Sequence, residues 1–157
     1  MKIKLIVIGK TDQAYLQEGV TVYHKRIPHY VPFEYLEIPD IRNTRKLSEG
    51  QQKEKEGELV LSRVKDGDAL ILLDEKGKTF SSVEFARFLE KNMLGGTKNL
   101  VFVVGGPYGF SDAVYTKAVE KVSLSAMTFP HQLIRLIFSE QLYRALTILK
   151  GEPYHHE

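Results

Sequence analysis

Two rhythms of apolar positions recur along the chain: short β-branched runs closed by glycine or proline, and longer stretches with apolar residues three and four apart. Lys2 to Ile8 is the first strand-like run, closed by Gly9. Thr11 or Asp12 is placed to cap a helix whose Tyr15, Gly19, Val22 and Tyr23 fall at i, i+4, i+7 and i+8, and Pro28 ends it. Phe33 to Ile38 reads as a second strand between Pro32 and Pro39. A charged helix follows from about Thr44 to Val64, with only Leu47, Leu59, Val60 and Val64 as anchors, so its first half is expected to be loose. Ala69 to Asp74 is a continuous apolar strand, after which Gly77 reads as a turn. Ser81 with Glu84 three residues on forms a capping box for a helix burying Phe85, Leu89 and Met93. Leu100 to Val104 is the most hydrophobic run, the kind found at the centre of a sheet covered on both faces. A helix from Ser111 to about Lys121 leads to a short fifth strand, Val122 to Ala126. Pro130 suits the first turn of a last helix, roughly His131 to Lys150, which Gly151 stops.

This alternation predicts one α/β domain over residues 1–157, with a mostly parallel sheet flanked by helices. The last helix carries Ile134, Phe138, Leu142, Ala145 and Leu149 on one face and Leu133, Leu136, Ile137 and Tyr143 on another. A helix apolar on two faces must be buried twice. In a protein this small, the second burial is expected to be against another copy of the chain, making a homodimer.

Composition narrows the class. Of 157 residues, 43% are hydrophobic and 27% charged, enough for a real core and too apolar for wholesale disorder. No stretch reaches the ~18 uninterrupted apolar residues of a membrane span, and Lys4 interrupts the first apolar run. The absence of cysteine removes disulfides, thiol catalysis and the usual structural zinc sites, and fits a reducing cytoplasm. A net charge of +2 does not announce a nucleic-acid binder, since phosphate neutralisation supplies most non-specific affinity. Between Ile41 and Lys65 seven basic residues face four acidic ones, a pattern typical of a solvated helix face.

In parallel α/β sheets, ligands bind beyond the carboxyl ends of the strands. Three such ends carry suggestive residues: Leu72-Leu73-Asp74-Glu75, Gly105-Gly106-Pro107-Tyr108-Gly109, and Leu124-Ser125-Ala126-Met127-Thr128-Phe129. The glycine segment has neither dinucleotide nor Walker spacing. It is either a tight turn or, beside the mixed apolar and hydroxyl loop, a cradle for a flat base with a polar tail. Glu140, Tyr143 and Arg144 share one stripe of the last helix, as an intrahelical ion pair or as functional groups. His155-His156 lacks the upstream ligands a metal site needs, and no metal is expected. Ser125 and Ser139 lack the strand–turn–helix elbow of an acyl nucleophile.

Gly105-Gly-Pro-Tyr-Gly109, Leu124-Ser-Ala-Met-Thr-Phe-Pro-His131, Glu140-Gln-Leu-Tyr-Arg-Ala145 and the terminal Pro153-Tyr-His155 together resemble the RlmH family, over the whole chain and in register. These are bacterial SPOUT-class methyltransferases that methylate N3 of a pseudouridine in 23S ribosomal RNA. The resemblance implies a trefoil-knotted α/β domain, a homodimer, and S-adenosyl-L-methionine as cofactor held by knotted loops beside the dimer interface. Carried over residue by residue, it places the cofactor contacts on Leu73, Gly105, Leu124, Ser125, Ala126, Met127, Thr128 and Phe129. It places catalytic and RNA-side roles on Arg144, Tyr154 and His155, with His131 nearby. Relatives usually carry arginine or lysine where this chain has His156, so the tail's grip on phosphate is expected to be weaker or pH-dependent.

The activity implied needs no metal, because a sulfonium methyl is already activated; the protein's task is alignment. The N3–H proton must leave; His155 is expected as the base and Arg144 as the stabilising cation, the alternative being that either grips phosphate. The expected substrate is the assembled ribosome, whose shape and proteins can replace the missing charge. The rival is a ribosome-associated binding module of the same fold without catalysis. Gly151 is expected to leave Glu152 to Glu157 as a mobile tail that orders on RNA, the alternative being a tail docked on its own domain.

Overall fold

A computed structural model describes residues 1–156; Glu157, the last residue of the expected tail, lies outside them. The elements are β1 (Lys2–Ile8), α1 (Ala14–Arg26), β2 (Phe33–Ile38), α2 (Glu49–Leu61), β3 (Ala69–Thr79), α3 (Ser82–Leu94), β4 (Asn99–Val104), α4 (Asp112–Lys117), β5 (Glu120–Ser123) and α5 (Leu133–Leu149). Five strands form one sheet in the order β2-β1-β4-β3-β5, and every pairing is parallel. The α/β architecture read from the sequence is therefore observed, with the most hydrophobic strand, β4, at its centre.

Alternation along the central strands sends side chains to opposite faces. On one face Leu5, Val7, Leu100 and Phe102 pack with Phe85, Leu89, Phe138 and Leu142 of α3 and α5. On the other, Ile6, Ile8, Val101 and Val103 meet Val60 of α2 and Val114 of α4. No helix among the described residues is long and apolar enough to cross a membrane.

Boundaries differ from expectation where polar chemistry, not periodicity, decides them. The helix expected from Thr44 begins at Glu49. Asn43 in the left-handed region (φ 60°) starts a single 3-10 turn over Thr44–Lys46, and Ser48 and Gln51 then supply the capping box. Neither Thr11 nor Asp12 caps α1, whose N-cap is Gln13 without a side-chain bond. The Thr11 hydroxyl instead accepts from Arg135, and the Asp12 N–H donates to Gln132 Oε1 at 2.9 Å. Pro130 precedes α5 rather than opening it, its carbonyl accepting from Ile134 N at 3.1 Å. β5 is Glu120–Ser123, starting two residues and ending three residues earlier than expected, which frees Leu124 to Phe129 to be a loop.

Gly77 is not a turn. It lies inside β3, which runs on to Thr79. Leu73 and Lys78 both pair with Val122, so Asp74–Gly77 bulge out of the ladder. A Cβ on Gly77 would sit 2.6 Å from the carbonyl carbon of Lys121, so glycine is needed for close backbone approach and not for a positive φ.

Candidate active site

The carboxyl ends of β3, β4 and β5 open into a cleft of about 420 Å³. Leu73, Val104, Val122 and Ile134 supply apolar surface, and the wall is completed by Asp74 to Lys76, Gly105 to Phe110 and the loop after β5. This size lies within the range of small-molecule sites. Hydrogen bonds tie the walls together. The Thr128 hydroxyl donates to Glu75 Oε2 at 2.8 Å, joining the β5–α5 loop to the bulge of β3. Tyr115 donates to Asp74 Oδ2 at 2.5 Å, and burial followed by that bond raises its pKa to about 12. Within the loop, Ser125 Oγ accepts from Met127 N at 2.9 Å and Ser125 O accepts from Ser123 Oγ at 2.9 Å.

Of the cofactor residues expected from sequence, Leu73, Gly105, Leu124, Ser125, Met127, Thr128 and Phe129 line this cleft. Ala126 is exposed in the same loop and is not part of the wall. The crowding at Gly105 comes from Phe110, whose ring carbon Cζ would lie 3.1 Å from an added Cβ, rather than from the open cleft. Among the described residues no three His, Asp or Glu side chains converge as metal ligands.

Arg144, Tyr154 and His155 come together elsewhere. The tail folds back on α5 rather than hanging free, the alternative weighed above. Gly151 adopts φ 69° and its N–H reaches Ile148 O at 3.0 Å, reversing the chain. Tyr154 packs its ring at 4.7 Å from that of Tyr143, lies under the Arg144 guanidinium at 4.8 Å, and donates to Glu140 Oε1 at 3.0 Å. Arg144 donates to Glu140 Oε1 from Nε (3.0 Å) and Nη2 (2.5 Å), and from Nη1 to His155 Nδ1 at 3.1 Å. The stripe on α5 is thus an intrahelical ion pair that also receives the tail. Glu140 raises the pKa of Arg144, and burial with bonds to Tyr23 and Glu140 raises that of Tyr154. Arg144 lies ten residues beyond Ile134, about 15 Å along the helix at ~1.5 Å per residue. None of the three tail-cluster residues borders the protomer's own cleft.

Two groups here gave no sequence signal. Arg135 is fully buried and donates to Ile8 O (2.6 Å), Gly9 O (2.8 Å), Thr11 Oγ1 (3.2 Å) and His131 O (3.2 Å), pinning the end of β1 and the entry to α5. Glu56 of α2 is buried behind the glycine segment. Charged residues on helices default to solvent, so only the fold reveals them.

A family model described as "Predicted SPOUT methyltransferase" matches residues 1–155. The chain belongs to the SPOUT methyltransferase family. Members named "Ribosomal RNA large subunit methyltransferase H" are similar over full length: 64% identity over 157 residues in Parabacteroides distasonis and 61% over 157 in Flavobacterium johnsoniae, covering 100% of each chain. The protein of that name in Christiangramia forsetii is 56% identical over 156 residues, 99% of each chain. Among solved structures, the SpoU methyltransferase AviRb from Streptomyces viridochromogenes in complex with AdoMet shows 13% identity and a TM-score of 0.43. The match covers 95% of this chain and 58% of that one. In this SPOUT methyltransferase the carboxyl-end cleft and the α5 tail cluster are the two places where chemistry-bearing residues gather.

Proposed function

We propose that this chain is one catalytic domain that transfers a methyl group from S-adenosyl-L-methionine to N3 of a pseudouridine in 23S rRNA of the assembled ribosome. The observation that carries the reading is the cleft at the ends of β3, β4 and β5. It pairs apolar surface with a glycine-rich backbone wall and the Asp74 and Glu75 carboxylates, a combination suited to an adenine carrying a cationic, polar tail. Leu73, Gly105 and the loop from Leu124 to Phe129 would hold the cofactor, which supplies an electrophilic sulfonium methyl. The names of the full-length relatives support ribosomal RNA as the substrate.

The α5 groove supports a homodimer. Leu136 and Ile137 are half-exposed and, with Gly19, Val22 and Tyr23 of α1, form a mostly apolar groove of about 430 Å³ that Glu140 also borders. A second copy seated there would set its own α5 tail against this protomer's cleft, spanning the ~15 Å that one helix cannot. In that arrangement Arg144 stabilises negative charge developing on the base. His155 accepts the N3 proton at Nδ1, the nitrogen now held by Arg144, once the guanidinium turns to the substrate. Tyr154 offers a face for stacking. Action on ribosomes would make this a cytoplasmic enzyme.

The test is calorimetry with S-adenosylmethionine followed by methyl transfer to ribosomes from a strain lacking this modification, the product located by mass spectrometry. Cofactor binding with transfer to the pseudouridine supports the reading. Binding without transfer leaves the non-catalytic ribosome-associated module.

A further inference from the structure

We propose that Glu56 selects for charge: from behind the glycine wall it favours a positively charged ligand in the cleft over the neutral thioether left after methyl transfer. This rests on the reading of the cleft as a site for S-adenosylmethionine, which differs from S-adenosylhomocysteine by one methyl group and one positive charge.

Glu56 is 5% exposed. Its Oε1 accepts from Gln52 Nε2 at 2.9 Å, whereas Oε2 is buried without a hydrogen-bond partner among the described residues. A Cβ on Gly106 would lie 2.3 Å from Oε2 and 2.9 Å from Cδ, so the carboxylate rests on the bare face of that glycine. Gly105, Gly106, Gly109 and Phe110 border both the cleft and the cavity of about 10 Å³ beside Glu56. The barrier between carboxylate and cleft is therefore one backbone thick at the glycines, and any side chain at 106 would force them apart.

Among the described residues no cation pairs with Glu56 to offset its burial. A carboxylate taken out of water needs a cation or a full set of donors. The ion pairs among the described residues are Lys2–Glu34, Lys117–Asp66 and Arg144–Glu140. Lys53 borders the same small cavity without pairing to Glu56. Burial raises the Glu56 pKa and nearby Asp40 adds to it, while the Gln52 bond and His131, on the cleft wall, pull it down. When Glu56 is ionised the site is short of one positive charge, and a cation entering the cleft supplies it through the thinnest part of the wall.

The test is calorimetry on the intact wild-type protein, Glu56→Gln and Glu56→Asp, with S-adenosylmethionine and S-adenosylhomocysteine titrated separately. For Glu56→Gln, affinity for the sulfonium is expected to fall on the order of tenfold, the effect of one charge across ~10 Å at an effective dielectric of ~20. The thioether should change less than about twofold by the same reasoning, because it is neutral. Glu56→Asp keeps the charge and should keep the preference, and it serves alone if the glutamine variant does not fold. Equal loss for both ligands, no change in either, or loss of preference in Glu56→Asp overturns the inference while leaving the cofactor reading intact. A wild-type protein that binds neither ligand overturns that reading and this inference with it.

Discussion

A methyl group added at Gly77 would stand 2.6 Å from the carbonyl carbon of Lys121 and 2.7 Å from Lys121 O and Val122 N. All three obstacles are backbone atoms of β5, so no side-chain rotation relieves the clash. Relief requires β5 to move by most of an ångström, loosening the Leu73–Val122 and Lys78–Val122 pairings that frame the bulge. Gly77 does not have a positive φ, so alanine also gains about 0.4–1 kcal/mol by restricting the unfolded chain. Overpacking against a rigid wall costs typically ~1–3 kcal/mol, and the upper end applies here. The net expectation for Gly77→Ala is a loss of about 2 kcal/mol, or roughly 4–8 °C in Tm for a chain of this size. Gly50→Ala is the matched control: on the exposed first turn of α2 its Cβ meets only Ser48 Oγ at 3.9 Å, and it should stabilise by up to about 1 kcal/mol. Urea denaturation of the two variants beside wild type measures both, and calorimetry reports whether the displaced Asp74–Lys76 wall weakens cofactor binding. If Gly77→Ala melts at or above the wild-type temperature, the close-approach argument is wrong.

Other expectations follow from the same geometry. His24, packed between Phe33 and Tyr35 with Nε2 2.8 Å from Ser139 Oγ, has its pKa lowered by burial to about 4. The folded state favours the neutral ring, so that contribution is full above pH ~6.5 and is lost as pH falls toward 4, about 2–3 kcal/mol in all; urea midpoints at pH 7, 5.5 and 4.5 should show this slope, and His24→Gln should flatten it. Arg135→Met should cost at least ~3 kcal/mol, because it leaves the carbonyls of Ile8, Gly9 and His131 without their donor, and chemical denaturation will read the loss. On α5 Phe138 is fully buried in its own core and Leu136 is half-exposed, so Leu136→Glu should dissociate the proposed dimer in sedimentation while leaving a folded monomer. Removing residues 153–157 should spare most cofactor affinity and abolish methyl transfer; normal transfer would exclude Tyr154 and His155 from catalysis.

The strands were legible because β1, β2 and β4 are bounded β-branched or aromatic runs, and α3 because Ser81 and Glu84 spell its start. Gly77 read as a turn because a polar segment ending in glycine has the same composition whether it reverses the chain or bulges from a strand. The docked tail could be read only as an alternative for a different reason: the partners of Tyr154, at Glu140 and Tyr143, become neighbours only once Gly151 reverses the chain. The cleft loops were visible as strand ends, but their assignment to a cofactor came from family resemblance, since spacing alone favoured a tight turn for the glycine segment. Glu56 and Arg135 escaped altogether, being charged residues whose meaning depends on which backbone they face.

The anchoring of β1 by Arg135 has a consequence for the chain as it is made. The guanidinium reaches Ile8 O across 127 residues of sequence and Gly9 O across 126. At about 5–20 residues per second, the amino-terminal strand is complete for roughly 6–25 s before its fastener is even polymerised. Until then the carbonyls that Arg135 will claim stay hydrated, and the apolar face meant for Phe138 and Leu142 stays open. The nascent polypeptide therefore cannot close its core progressively from the amino end. Closure of that face must wait until α5 has been made and can fold back onto β1.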